Sequence, residues 1–305
     1  MFLKRPKAST DPRVRSLLQK AARRGDAQVV ERALMRLDAS GDKAWLRSRA
    51  IVITFEECWP LAASLSIDVG VSSKRTALLS VTGAAKQKDA AGLGALAHAY
   101  QEGNESMADG VPDRRTLRIV AEALGRPAAF FEWVFSQSNS RRATDLIRSA
   151  QRYLAAATWQ WDKACILAGA LLATVDDVPT IEPADPPSEE FPYWVALDKH
   201  TPEGKVALGE VARQVNSSYR QLIWASFYCE SARVNRLSSS PWWDAERTWR
   251  LGRAGLSWDT AEELWSRARP LMRQHLEVEA AALQKFVDPV TSPQGALTLA
   301  DQTTG

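Results

Sequence analysis

The sequence predicts an all-α protein built as two helical lobes joined by an acidic, proline-rich linker. Three observations carry this. Apolar residues recur at helical spacing in almost every long segment, no segment alternates with the period of two that marks a half-buried strand, and helix-start signals stand where the periodic stretches begin. Val14, Leu17, Leu18 and Ala21 fall at i, i+3, i+4 and i+7, behind Asp11-Pro12 as cap and first residue, and Arg24-Gly25-Asp26 closes that helix. A second helix is expected over 27–39, with Val30, Leu34 and Leu37 on one face and Ser40-Gly41-Asp42 as its stop. A third runs from about Lys43 to Trp59, before Pro60. Within it Ile51-Val52-Ile53-Thr54-Phe55 has strand propensity, but its neighbours Trp45, Leu46 and Trp59 lie at helical spacing, so it reads as a buried helix.

Further helices are expected at 74–82, 89–101, 113–124, 127–136, 141–156 and 159–174. Between 176 and 192 five prolines and six carboxylates leave almost nothing to bury, which marks a linker or surface loop. Beyond Tyr193-Trp194-Val195-Ala196-Leu197 come helices near 202–216, 218–236, 241–251 and 258–283. The expected organisation is therefore a basic tail at 1–12, a lobe at 13–175, the linker at 176–192, a second lobe at 193–283 and a flexible tail at 284–305.

Composition excludes several classes. With 45% apolar and 25% charged residues, the 305-residue chain is neither disordered nor collagenous. No run approaches the roughly 18 apolar residues of a membrane span, so no membrane partner is expected. The basic start (Lys4, Arg5, Lys7) leads into Ser9-Thr10-Asp11-Pro12 instead of an apolar stretch, so no secretory signal is expected either. Cys58, Cys165 and Cys229 are few, odd in number and far apart, which fits a cytoplasmic location and argues against a cysteine-held zinc.

Two features are unusual. Tryptophan reaches 12 residues while tyrosine stays at 5. Charge is divided as well: residues 1–152 carry 25 Lys+Arg against 16 Asp+Glu, and residues 153–305 carry 14 against 20. The basic half, and above all residues 1–49 with 13 cations against 5 carboxylates, suggests a polyanionic partner. DNA is the expected one.

No G-x-x-x-x-G-K-S/T loop, G-x-G-x-x-G turn or G-x-S-x-G elbow occurs, and His98, His200 and His275 share no metal-ligand spacing. Ile67-Asp68-Val69-Gly70-Val71 suggests a phosphate-binding hairpin but lacks the second glycine. No metal and no cofactor is expected. Cleavage of an N-glycosidic bond remains within reach of a helical protein, because it needs a carboxylate beside an oxocarbenium-like sugar and aromatic faces for an extruded base.

Four segments are candidates. In Tyr193 to Lys205, Thr201-Pro202 opens a helix and places Asp198, Lys199 and His200 on its entry loop. There Asp198 would be the essential carboxylate, His200 and Lys199 would orient sugar or phosphate, Lys205 would meet phosphate, and Tyr193 and Trp194 would hold the base. The structural alternative has Asp198 bonded to loop amides, His200 at the surface and both aromatics in the core. In the second segment Glu56 and Glu57 are adjacent behind an apolar run, so one of them would be a partly buried second acid, or a structural partner of Arg47, Arg49 or an arginine from another helix. The third contains the helix 224–233 and then Trp242 and Trp243 in the first turn after Ser240-Pro241, read as exposed indoles able to meet a base or to pack between helices. The fourth is the basic set Arg13, Arg15, Lys20, Arg23, Arg24, Arg32, Arg36, Arg47 and Arg49, with Lys20, Arg23 and Arg24 as the expected phosphate contacts.

Ser16-Leu17-Leu18-Gln19-Lys20-Ala21-Ala22-Arg23-Arg24-Gly25-Asp26, with Ala33-Leu34, Gly41-Asp42, Leu46-Arg47-Ser48-Arg49 and Glu56-Glu57, resembles the helical collar of clamp-loader ATPases, best in the replication-associated recombination branch. That resemblance implies a collar-like bundle and an oligomer or a partner ATPase. The ATPase module itself is missing, so nucleotide hydrolysis is not carried over. The remainder, with Asp198-Lys199-His200-Thr201-Pro202-Glu203-Gly204-Lys205 and the helix 224–233, is similar to the α-glutamyl/putrescinyl-thymine pyrophosphorylase-like proteins. Some of these are regarded as DNA glycosylases of antiviral defence. The resemblance implies a substrate class, modified DNA bases, and no individual catalytic position. The resulting expectation is a DNA glycosylase-like enzyme that extrudes and excises a modified base; the alternative is a non-catalytic collar-like module on DNA or a replication ATPase.

Overall fold

The computed structural model describes residues 12–64, 71–175, 177–187 and 193–287. It is all-α: about three quarters of the chain is helical, and no sheet forms among the described residues. The helices are α1 (Pro12–Arg24), α2 (Ala27–Ala39), α3 (Lys43–Cys58), α4 (Val71–Thr82), α5 (Asp89–Gln101), α6 (Arg114–Ala123), α7 (Pro127–Gln137), α8 (Arg141–Leu154), α9 (Gln160–Val175), α10 (Pro202–Gln214), α11 (Tyr219–Ser226), α12 (Pro241–Arg253) and α13 (Trp258–Val287). Short 3-10 turns occupy Trp59–Ser64, Glu105–Gly110 and Tyr193–Val195.

Local chemistry explains the ends. Gly25 takes φ +75° and turns the chain out of α1, and the Asp26 side chain accepts from Val29 N to start α2. The side chains of Asp113, Ser140, Thr201 and Ser218 cap α6, α8, α10 and α11 in the same way, and Ser218 with Gln221 completes a reciprocal capping box.

At the centre α5 lies between α9 and α12. Its sequence, rich in alanine with Gly92 and Gly94, is buried from Ala90 to Ala97, as a helix without a polar face must be. The small residues permit the contact. A Cβ on Gly94 would stand 2.6 Å from Cys165 N of α9, and one on Gly92 would stand 2.3 Å from the Trp242 carbonyl carbon of α12.

One core cluster runs from Val14 to Leu283 and takes in residues on both sides of the linker. The linker is tied down: Ala85 N donates to Glu182 O and Ala184 N to Gly83 O, both at 2.8 Å. Its partner, the buried segment 84–88, is too short and too polar to read as an element in the sequence. The helix expected over 218–236 stops at Ser226, continues as a π-helical turn at Phe227–Ser231 and then leaves helical geometry. α13 extends to Val287, so residues 284–287 of the expected tail are helical. The basic tail to residue 11, residues 65–70 with most of the discounted hairpin, residues 176 and 188–192 of the linker, and residues 288–305 lie outside the described residues.

Candidate functional site

A cleft of about 890 Å³ opens where α1, α3, the start of α9, the loop before α10 and the π-helical turn meet. The spacing on α1 builds one wall. Val14, Leu17, Leu18 and Ala21 face the core, which leaves Arg15, Ser16, Gln19, Lys20 and Arg23 as the opposite stripe, lining the cleft. α3 repeats the pattern with Trp45, Ser48 and Arg49, and α9 supplies Trp161 and Asp162, with Trp159 just before its first residue. Leu197, Asp198, Lys199 and His200 close the far side, with Phe227 and Ser231 of the π-helical turn. The charged lining is Arg15, Lys20, Arg23, Arg49 and Lys199 with Asp162 and Asp198; the three arginines are ion-paired, Arg15 with Asp42, Arg23 with Glu57 and Arg49 with Glu56 and Asp162. The volume of the cleft falls within the range usual for small-molecule sites, roughly 300–1,000 Å³.

Asp198 is half-buried and held from three sides. His200 N donates to its Oδ1 at 2.8 Å, the Ser16 hydroxyl donates to its carboxylate, and the Lys20 ammonium lies close enough to act on it. Burial pushes this carboxyl up, but Lys20, Ser16 and the His200 amide outweigh it and hold the group below the usual carboxylate range. Asp198 is therefore an anion beside the Lys20 ammonium. Its backbone is fixed as tightly: the Asp198 carbonyl accepts from Thr201 Oγ1 at 3.0 Å, and a Cβ on Gly204 would sit 1.9 Å from that carbonyl oxygen. The Asp198 loop thus rests directly on the first turn of α10, which only glycine permits.

Lys20 is buried, and its Nζ donates to the Leu197 and Trp194 carbonyls, tying α1 to the Asp198 loop. Burial lowers its pKa to about 8, with Arg23 and Arg24 adding to the effect and Asp198 opposing it. Lys199 lies with its Nζ 4.4 Å from the centre of the Trp224 ring and 5.3 Å from that of Phe227; burial and the nearby Arg250 lower its pKa. Behind it the Arg250 guanidinium packs against Trp161 at 5.0 Å and Trp224 at 4.9 Å. Trp161, Arg250, Trp224 and Lys199 thus form a stack of alternating indoles and cations beside the cleft. His200 lines the cleft and is exposed.

Glu57 is buried between two cations. Arg23 Nε donates to its Oε1 and Lys88 Nζ to its Oε2, each at 2.8 Å. Burial alone would raise its pKa, but these partners bring it down to about 2. Glu56 accepts from Arg49 Nη2 at 3.0 and 3.2 Å, and burial raises its pKa despite that partner. Neither glutamate lines the cleft; each fixes an arginine that does. Arg23 is fixed at a second point, through Nη1 to the Ser231 carbonyl at 2.7 Å, a carbonyl that the π-helical turn supplies. Arg49 is shared with Asp162 at 2.9 Å.

Several expected contacts lie elsewhere. Arg24 points inward, bonded to the carbonyl and carboxylate of Glu230 with its guanidinium 4.4 Å from the Trp194 ring centre. It is an internal ion pair, not a phosphate contact. Trp194, Trp242 and Trp243 are only 3%, 7% and 8% exposed, so the indoles read as exposed at the start of α12 belong to the core, with no face open to a base. Trp243 has Lys88 against its ring at 4.5 Å. Lys205 is exposed on α10, away from the cleft lining. Tyr193 opens the short turn before Asp198, and its side chain lies outside the described groups. The sequence reading did not single out Trp45, Trp159, Trp161 or Asp162. Trp159-Gln160-Trp161-Asp162 at a helix start, with one indole left on a polar face, was the available signal.

No group of histidine, cysteine and carboxylate side chains suited to a metal ion occurs among the described residues. No helix among them is long and apolar enough to cross a membrane. Neither a family model, nor a curated protein, nor a solved structure matches the chain.

Proposed function

We propose that the cleft holds a nucleotide of DNA and cleaves its N-glycosidic bond, in the manner of a DNA glycosylase acting on a modified base. The observation that carries the reading is the environment of Asp198: an ionised carboxylate beside cations and indoles in one cleft large enough for a nucleotide. An anion fixed there before reaction stabilises positive charge developing at the sugar C1′ as the base departs. Water then adds to C1′; the proton it gives up passes to Asp198 and from there to the departed base, which regenerates the carboxylate. Arg23 and Lys199 offer cationic ends for phosphate, and Trp45 and Trp161 offer aromatic surface. Glu56 and Glu57 leave the acid–base role and become the anchors of Arg49 and Arg23.

The same cleft favours catalysis over the collar-like module, which needs no such concavity. Incubation with DNAs carrying different modified bases, followed by alkali, tests the proposal. It requires alkali-labile strand breaks on at least one of them, and none with Asp198→Asn.

A further inference from the structure

We propose that Trp159 is a nucleic-acid contact at the mouth of the cleft, stacking on a base of the strand whose extruded nucleotide enters it. The true substrate is then a polynucleotide and not a free nucleotide. This rests on the nucleotide-binding reading of the cleft and adds a strand path to it.

Trp159 is 71% exposed and yet lines the cleft, on the turn between α8 and α9. Packing gives no reason for an indole there, since the neighbouring Trp161 already covers the floor against Arg250. Its surroundings fit a phosphate backbone. Arg152 in the last turn of α8 is exposed and forms no ion pair among the described residues. Ser48 Oγ donates to the Ala156 carbonyl at 2.7 Å, which ties α3 to this same turn. The turn itself, Ala155 to Trp159, holds no carboxylate. An exposed aromatic face at the edge of a cleft lined by Lys20, Arg23 and Lys199 is the arrangement by which proteins hold a strand without reading its sequence, the base stacking and the phosphates pairing.

The test compares binding of a labelled DNA oligonucleotide with binding of deoxynucleoside monophosphates, for wild type, Trp159→Ala and Trp159→Phe. The alanine variant should weaken oligonucleotide binding about tenfold, leave monophosphate binding within about twofold, and recover with phenylalanine. An alanine variant that binds the oligonucleotide as wild type does, or that loses both ligands equally, overturns the contact. Wild type that binds monophosphates but no oligonucleotide also overturns it, and leaves the nucleotide reading standing. Binding of neither ligand removes that reading as well.

Discussion

Arg23 and Glu57 form a buried ion pair, Nε to Oε1 at 2.8 Å, and the glutamate also holds Lys88 at 2.8 Å. A single carboxylate thus fixes one cation at the cleft and another against Trp243 in the core. Replacing it by a neutral residue leaves two interior cations uncompensated. Glu57→Gln should destabilise the protein by about 3–5 kcal/mol in urea unfolding. The pH dependence has a definite sign. The folded pKa of about 2 lies below the ordinary glutamate value of about 4.3, so the contribution is full above roughly pH 5 and is lost as pH falls toward 2. Wild type should lose stability across that window more steeply than the variant.

Gly204 carries the Asp198 loop by having no side chain. Gly204→Ala should push the Asp198 carbonyl away from the first turn of α10 and cost about 1–3 kcal/mol in thermal unfolding. Base release should fall with it, because the carboxylate moves with its backbone. A Gly204→Ala variant with unchanged stability would show that the contact is not as tight as described.

Lys86 is buried and donates to the Val81, Thr82 and Ala84 carbonyls at the end of α4. Burial lowers its pKa to about 8, against an ordinary value of about 10.4. Between those values the unfolded chain binds more protons at this group than the folded one, so its contribution to stability rises with pH. Measured against Lys86→Met, wild type should gain on the order of 3 kcal/mol from pH 8 to pH 10.5. The variant serves as the reference because Cys229, raised to about 12 by burial, works in the opposite direction above pH 9 in both proteins.

Helix positions were legible because the apolar period and the capping residues are local properties; α1, α2, α5, α8 and α12 begin and end within a few residues of the positions expected from the sequence. The Asp198-Lys199-His200 corner and the Lys20–Arg23 stripe were legible for the same reason: each is a short segment whose geometry its own residues set. What failed depends on residues distant in sequence. Trp242 looks exposed at a helix start, but Gly92, some 150 positions earlier, allows α5 to cover it. Glu56 and Glu57 look like acids until Arg49, Arg23 and Lys88 are placed beside them. The π-helical turn was hidden because the residues from 224 to 233 keep helical spacing, and an inserted residue shows only in the hydrogen bonds.

The central claim is that the Asp198 carboxylate, and not merely the shape of the cleft, drives bond cleavage. The direct measurement is base release by wild type and Asp198→Asn on a DNA substrate that wild type cleaves, alongside DNA affinity for both proteins. Asparagine keeps the volume and removes the charge. Release should drop at least a hundredfold while affinity changes little. An asparagine variant that releases base at the wild-type rate would contradict it.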